Sequence, residues 1–314
     1  MAKVFIDGQE GTTGLNIAKR LTERGDITLL PIAEALRKDP EERKRRIAQA
    51  DVAILCLPDA AAKEAVALAE GTDTRILDAS TAHRTESGWA YGFPELSKKH
   101  RDAVITGDRV CVPGCHAGGF AAVVYPLVEA EILPADYPIV CHSVTGYSGG
   151  GKKMIAEYQA ADRSLLLSSP RQYALSQVHK HLPEMQKVCG LAETPIFNPI
   201  VADFYSGMVV SVPLHTRCLP GRQGLKAVHG ALEKHYRGAK LVKVLPLLAE
   251  EAMGGLLAAN ALAGRDDMEI LISGNDERIL IAARFDNLGK GASGAAVQCL
   301  NLMLGADEFS GLIC

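Results

Sequence analysis

The stretch Lys3-Val4-Phe5-Ile6-Asp7-Gly8-Gln9-Glu10-Gly11-Thr12-Thr13-Gly14 decides the fold class. A short apolar strand pattern, Lys3–Asp7, runs into three glycines spaced three apart. Leu15, Ala18 and Leu21 then recur at helical spacing through Thr12–Arg24, until Gly25 stops the pattern. A glycine turn that ends a strand and opens a helix is where a dinucleotide fingerprint sits, although the spacing is G-x-x-G-x-x-G rather than G-x-G-x-x-G. Glycines let the backbone approach a pyrophosphate, and the helix N-terminus offers free N–H groups and the positive end of its dipole. Gly8, Gly11, Thr12, Thr13 and Gly14 are therefore candidate cofactor contacts. The competing reading is a tight turn with no ligand.

Outward from this loop, strand and helix alternate. Ile27–Ile32 reads as a strand, Pro40 to about Ala50 as a charged helix, Asp51–Leu57 as a buried strand, Ala60–Glu70 as a helix and Arg75–Asp78 as another strand. Such alternation implies βαβ units and a parallel sheet. Beyond the second strand, Glu34 favours NAD, whereas Arg37 and Lys38 suit the extra phosphate of NADP. The choice stays open. The cluster Arg37, Lys38, Arg43, Lys44, Arg45 and Arg46 is interleaved with Asp39, Glu41 and Glu42 and has no aromatic companion. It reads as a solvated helix face, not as a nucleic-acid surface.

The second half has another rhythm. Tyr137–Val144, Tyr205–Val212, Glu269–Ser273 and Arg278–Phe285 read as strands without a helix between each pair, with a hairpin turn at Gly274–Glu277. A helix is expected over 221–236 and a small-residue helix over Gly291–Leu304. The fold class is α/β: an N-terminal Rossmann dinucleotide-binding domain, then an α+β substrate domain with a mainly antiparallel sheet. The expected boundaries are 1–114, completed by a C-terminal helix within 290–314, and 115–289.

Composition agrees with a globular chain. Of 314 residues, 47% are hydrophobic and 23% charged, and the net charge is −3, which favours no polyanionic partner. The longest plain apolar run, Val52–Leu57, is far below the ~18 residues of a membrane span. The N-terminal residues lack a signal-peptide pattern, so a cytoplasmic location is expected.

Eight cysteines remain, at 56, 111, 115, 141, 189, 218, 299 and 314, with no Cys-x-x-Cys. In a reducing compartment they are thiols, mostly small core hydrophobes. Cys115 differs, because Val112-Pro113-Gly114 makes a turn before it and the apolar run Phe120–Leu127 follows. A thiol at a helix start has its pKa lowered, and the free N–H groups there can hold an oxyanion. From this motif alone, a nucleophile and a packed thiol are equal readings. No second Cys/His pair with zinc-like spacing accompanies it, so no metal is expected.

Several ordered segments carry a resemblance over essentially the whole chain. They are the Asp7–Gly14 loop, Leu77-Asp78-Ala79-Ser80-Thr81-Ala82-His83-Arg84, Tyr91–Leu96, Val112-Pro113-Gly114-Cys115 and Gly146-Tyr147-Ser148-Gly149-Gly150-Gly151. They continue with His179-Lys180-His181-Leu182-Pro183-Glu184, Val212–His215 and Asp286–Gly294. Together they resemble the semialdehyde-dehydrogenase-like reductases, in the shorter branch that acts on N-acetyl-glutamyl phosphate in arginine biosynthesis. Val112, His116-Ala117 and Pro213-Leu214-His215 depart from the longer branch, which has Asn, an aromatic with proline, and Pro-His there.

The resemblance implies reduction of an N-acetyl-glutamyl 5-phosphate to its semialdehyde with NADP(H), through a thioester on Cys115, with His215 as proton donor and base. It implies further cofactor contacts at Pro58, Ser148, Gly149, Asn287, Gly289 and Lys290. Arg84 and Ser148 become candidate substrate contacts. His179 and His181 join them, because residues two apart on a strand face one way. A homodimer or homotetramer is expected. Two alternatives stand beside this reading. One is a related semialdehyde dehydrogenase acting on aspartate semialdehyde or on a carrier-bound glutamyl or aminoadipyl phosphate. The other is a dinucleotide-binding sensor without turnover.

Overall fold

In the computed structural model, which describes all 314 residues, the chain divides into two units. The first is Met1–Pro113 with Ala292–Ile313; the second is Gly114–Gly291 with Cys314.

Strands β1 (Ala2–Asp7), β2 (Ile27–Leu30), β3 (Val52–Leu55), β4 (Arg75–Asp78), β5 (Ala90–Tyr91) and β6 (Arg109–Cys111) form the first unit's sheet, in the order β2-β1-β3-β4-β6-β5. Every pairing is parallel. A parallel sheet must be covered on both faces. One face carries Ile17, Ala18 and Leu21 of α1 (Thr12–Thr22), Val104 of α4 (Lys98–Thr106), and Ala295–Met303 of the C-terminal helix Gly294–Leu304. The other carries Ile47 of α2 (Pro40–Ala48) and Ala62 and Ala65 of α3 (Asp59–Leu68). The chain reverses direction across the sheet between β1 and β3, and the crevice at the carboxyl ends of these strands is where doubly wound folds bind ligands.

The charged helix α2 is only partly a solvated face. Asp39 caps it by accepting the Glu42 N–H, and Arg45 and Arg46 pair with Glu42 near the surface. Arg43 instead turns inward, its Nε 3.0 Å from Asp7 Oδ2 and its Nη1 3.3 Å from Glu64. Periodicity explains the split, since Arg43 and Ile47 lie four apart on the stripe that faces the sheet. Burial pushes the Asp7 carboxyl up, and Arg43 opposes that shift.

The second unit holds β7 (Val140–Gly146), β8 (Arg171–Gln172), β9 (Ile196–Ala202), β10 (Met208–His215), β11 (Val242–Val244), β12 (Met268–Gly274) and β13 (Arg278–Phe285), ordered β11-β12-β13-β10-β7-β9-β8. The sheet is mixed: β7 pairs with β9 and β11 with β12 in parallel, and the other four pairings are antiparallel. The β12–β13 turn is closed by Asn275, whose Oδ1 accepts from the Glu277 and Arg278 N–H groups at 3.0 Å each.

Helix α5 (Cys115–Glu129) lies directly on β10 and β13. A Cβ on Gly119 would stand 2.6 Å from Val210 and 2.7 Å from Phe285, so glycine sets the closeness of helix to sheet. The unit's other α-helices are α6 (Gly151–Gln159), α7 (Leu182–Cys189), α8 (Leu225–His235) and the four-residue α9 (Ala249–Ala252).

Replacing Arg43 with alanine strands the Asp7 carboxylate in the interior. Urea unfolding is expected to show a loss of about 3 kcal/mol. Arg45→Ala, at the exposed end of the same helix, is expected to cost at most ~0.5 kcal/mol.

Candidate active site

The glycine loop is shaped by close backbone approach. Gly8 has φ +85°, and a Cβ there would lie 2.4 Å from the Cys56 carbonyl oxygen. A Cβ on Gly14 would lie 2.6 Å from the Gly8 oxygen. Gly11 sits at the helix N-cap with no side chain over it, and the first intrahelical bond runs from the Leu15 N–H to the Gly11 carbonyl. The N–H groups of Thr12, Thr13 and Gly14 precede that bond and point out of the helix start, a site for a phosphate. Pro58 is exposed at the carboxyl end of β3, beside the loop's Cys56 neighbour. Arg37 and Lys38 are exposed on the turn that follows β2, with Glu34 3.9 Å from Arg37. These residues fit a dinucleotide.

In the second unit, Cys115 is the first residue of α5, with Gly114 at the N-cap. The first bond inside the helix runs from the Gly118 N–H to the Gly114 carbonyl, so the first-turn N–H groups ahead of it take no part in the helix's own ladder. The buried Glu184 carboxylate accepts the Gly114 N–H at 2.8 Å. Glu184 belongs to the first turn of α7, and the turn before α7 carries His179 and His181. Both rings reach the Cys115 neighbourhood through His116, whose ring centroid is 5.9 Å from His179 and 5.5 Å from His181.

His179 and His181 therefore come together, but not by strand alternation. They flank a turn, the His181 N–H donates to His179 Nδ1 at 3.1 Å, and the rings meet edge to face at 4.8 Å. With Nδ1 accepting, the neutral His179 ring carries its proton on Nε2. Burial, helped by Lys180, lowers its pKa to about 4. The three rings belong to no group of His, Cys, Asp and Glu side chains able to hold a metal ion.

Burial, then the Asp78 and Asp7 charges, push Cys56 up to about 12, and burial pushes Cys141 and Cys189 higher still.

Comparison with known proteins agrees with both halves of this description. The family model of the semialdehyde dehydrogenase NAD binding domain matches residues 18–104, and that of the semialdehyde dehydrogenase dimerisation domain matches 115–287. Over 98% of its length the chain is 46% identical to N-acetyl-gamma-glutamyl-phosphate reductase 2 of Pseudomonas putida, of which 98% is covered. It is 47% identical, over 96% of its length and 99% of the relative's, to N-acetyl-gamma-glutamyl-phosphate reductase of Brucella ovis. The chain belongs to the N-acetyl-gamma-glutamyl-phosphate reductase family.

Solved structures share the wider fold. Aspartate semialdehyde dehydrogenase II of Vibrio cholerae superposes with a TM-score of 0.73 at 15% identity, over 97% of this chain and 99% of that one. The Candida albicans enzyme, solved with NADP, gives 0.66 at 14% identity, over 98% and 99%.

Within this reductase framework, several expected residues lie elsewhere. His215 is corrected first. Gly291, against which Cys115 packs, touches Phe285, and Phe285 pairs with Met208. His215 closes the same strand seven residues later, roughly 23 Å away. Its ring is exposed and its N–H donates to Tyr137 Oη. It cannot exchange a proton with Cys115.

Arg84 does not present a free fork. Its Nε donates to the Val112 carbonyl at 2.8 Å and its Nη2 to the Ala79 carbonyl at 3.1 Å, bracing the strand that leads to Pro113. Ser148 and Asn287 are buried against each other: Asn287 Nδ2 donates to Ser148 Oγ at 3.0 Å, and its Oδ1 accepts the Gly207 N–H. Their side chains are spent on tying the 286–291 turn to the end of β7, while Gly149 is exposed beside them. Gly289 packs under the Arg265 carbonyl, where a Cβ would come within 2.0 Å, and Lys290 is buried.

Tertiary contact gives partners to residues that the motifs carried without a role. Asp78 is fully buried, accepts from the Ser80 N–H and hydroxyl, and lies 2.6 Å from His83 Nδ1; His83 in turn stacks on Trp89 at 4.1 Å. Beside Cys115, His116 is buried between Ser143 and Tyr173. In the sequence His116 was marked only by its adjacency to Cys115 and by its departure from the longer branch.

Burial, then His179 and Lys180, lower the His116 pKa to about 3. The unfolded chain binds protons at this residue from about pH 6.5 downward, and the folded chain does so only near pH 3. Stability is therefore expected to fall as pH drops through that window. Chemical denaturation at pH 7, 5 and 4 checks this, and His116→Phe is expected to show a shallower decline than the wild type.

Proposed function

We propose that the chain reduces N-acetyl-L-glutamyl 5-phosphate to N-acetyl-L-glutamate 5-semialdehyde with release of phosphate, in arginine biosynthesis, using NADPH. One observation carries this reading: Cys115 opens a buried helix beside two histidines, in a chain whose near-full-length relatives bear that enzyme's name. The cofactor is held by Gly8, Gly11, Thr12, Thr13 and Gly14 at the pyrophosphate, with Pro58 beside them. Arg37 and Lys38, on the turn after β2, would pair with the ribose phosphate of NADP.

The Cys115 thiolate attacks the acyl carbon, the C–O bond to phosphate breaks, and a thioester forms. The first-turn N–H groups of α5 hold the carbonyl oxygen as it gains charge. NADPH, when bound, supplies the hydride that reduces this ester. His179 and His181 take the acid–base role in place of His215, and the neutral His179 offers its Nε2 proton to the reacting oxygen. The thiohemiacetal then collapses to aldehyde and free thiol.

A homodimer or homotetramer accords with the family's dimerisation domain and with the outer face of the second sheet. There Val209, Leu245, Leu271 and Ala282 are covered only by short segments around Met253 and Leu257. None of the eight cysteines is joined in a disulfide, which suits a reducing cytoplasm.

The test is phosphate-dependent NADP reduction with N-acetyl-glutamate semialdehyde, run beside aspartate semialdehyde. A preference for the aspartyl compound would overturn the substrate assignment. Cys115→Ser is expected to abolish turnover. His179→Asn should lower kcat about 10²-fold, whereas His215→Asn should leave kcat and its pH profile intact. Replacing Arg37 and Lys38 together with alanine should raise the KM for NADPH about tenfold.

A further inference from the structure

Strand β8 ends early. Arg171 and Gln172 pair with Val201 and Ile200 of β9, the Tyr173 N–H still donates to the Pro199 carbonyl at 3.0 Å, and the chain then turns out of the sheet. The next polar groups along that edge of β9 are the N–H and carbonyl of Phe197. Phe197 is buried, and buried backbone polar groups need partners. One side chain supplies both. Gln177 Nε2 donates to the Phe197 carbonyl at 2.9 Å, and Gln177 Oε1 accepts the Phe197 N–H at 2.9 Å. A single primary amide thus stands where a further residue of β8 would have stood.

The turn that brings this amide to β9 is held against its own preference. Ala174 and Gln177 have φ +51° and +58°, a region that residues with a Cβ seldom occupy. The Gln177 N–H closes the turn on the Ala174 carbonyl at 2.9 Å. Leu175 and Val178, 71% and 80% exposed, add little packing, so the clamp on Phe197 is what ties the segment to the sheet. Both sides of the clamp bear on His179. Along the chain, only Val178 separates His179 from Gln177. Across space, the Phe197 ring stands edge-on to the His179 ring at 5.1 Å and to the His116 ring, next to Cys115, at 5.3 Å. His179 itself lies in no strand or helix. The His181 N–H on its Nδ1 orients the ring within the segment but does not fix the segment to the sheet.

We propose that Gln177 is a positioning residue for His179: its amide, closed on both backbone polar groups of Phe197, fixes the segment that presents the His179 ring to the site. Gln177 touches neither the nucleophile nor the reacting atoms in this role, and no covalent bond is made or broken. Its loss would free the segment to relax out of its left-handed turn, and the ring would move away from the Phe197 edge.

The proposal rests on the acid–base role given to His179 above, and one arm of its test needs no turnover. Diethyl pyrocarbonate labelling at pH 7, read peptide by peptide by mass spectrometry, is expected to modify His179 about fivefold faster in Gln177→Ala and Gln177→Gly than in the wild type. His215, at the far end of β10, is the internal reference and should label at an unchanged rate. In the assay, both variants are expected to lose about tenfold in kcat, with KM values within about twofold of wild type. Glycine adopts φ +58° freely. A residue that mattered only for its backbone would therefore be tolerated as glycine, and wild-type kcat and labelling in Gln177→Gly would overturn the proposal. In a His179→Asn background, Gln177→Gly should cost no further kcat, because its effect passes through that ring. A loss that adds to that of His179→Asn, or His179 labelling at the wild-type rate in both variants, also overturns it. Faster labelling of His179, in a protein that never turns over the acyl phosphate, would sink the reductase reading and leave the placement of His179 by Gln177 standing.

Discussion

A buried carboxylate, Glu184, accepts the Gly114 N–H at 2.8 Å, and the site in the second unit is arranged around that bond. A carboxylate in the interior is costly unless charge-assisted hydrogen bonds satisfy it. Here it sits at the N-terminal ends of two helices, α5 and α7, where both dipoles favour a negative charge. The bond brings the start of α7, with His179 and His181, to the start of α5, with Cys115. Nucleophile and histidines come from segments more than sixty residues apart, and this single contact sets their separation.

Much of this was legible in the chain. Four strands of the first sheet follow from alternating strand and helix, because a buried parallel strand needs a nearly continuous apolar run and each helix a stripe; β5 and β6, two and three residues long, escaped that reading. Arg75–Asp78 and Arg278–Phe285 were read to the residue. The Pro113-Gly114 turn placed Cys115 at a helix start, and the helix is there. In the second sheet, the strands expected at Tyr137–Val144 and Tyr205–Val212 lie about three residues further on. Strand β9 escaped notice because Pro199 interrupts it, and proline usually argues against a central strand. It is tolerated beside β7, and only its tertiary partners reveal it.

What stayed hidden depended on which end of an element meets which. His215 and Cys115 occupy motifs of similar character, yet an eight-residue strand separates its ends by more than any side chain can span. Local sequence holds no record of that direction. The turn that pairs His179 with His181 is likewise a product of α7 docking, not of strand alternation. Arg43 reads as one more charge on a charged helix until the helix's buried stripe turns it toward Asp7.

The route of the chain through the two units sets an order of events at synthesis. Residues Gly114–Gly291 are contiguous, so the second unit has nearly everything it needs before the C-terminal helix emerges from the ribosome. The first sheet leaves the ribosome earlier, but one of its faces is covered partly by Ala295–Met303. That face stays open until this helix emerges, and domains generally fold as units. The glycine loop is therefore made well before the helix that completes the sheet behind it. A truncation of the last twenty residues would strike the nucleotide fold, far in sequence from where it begins.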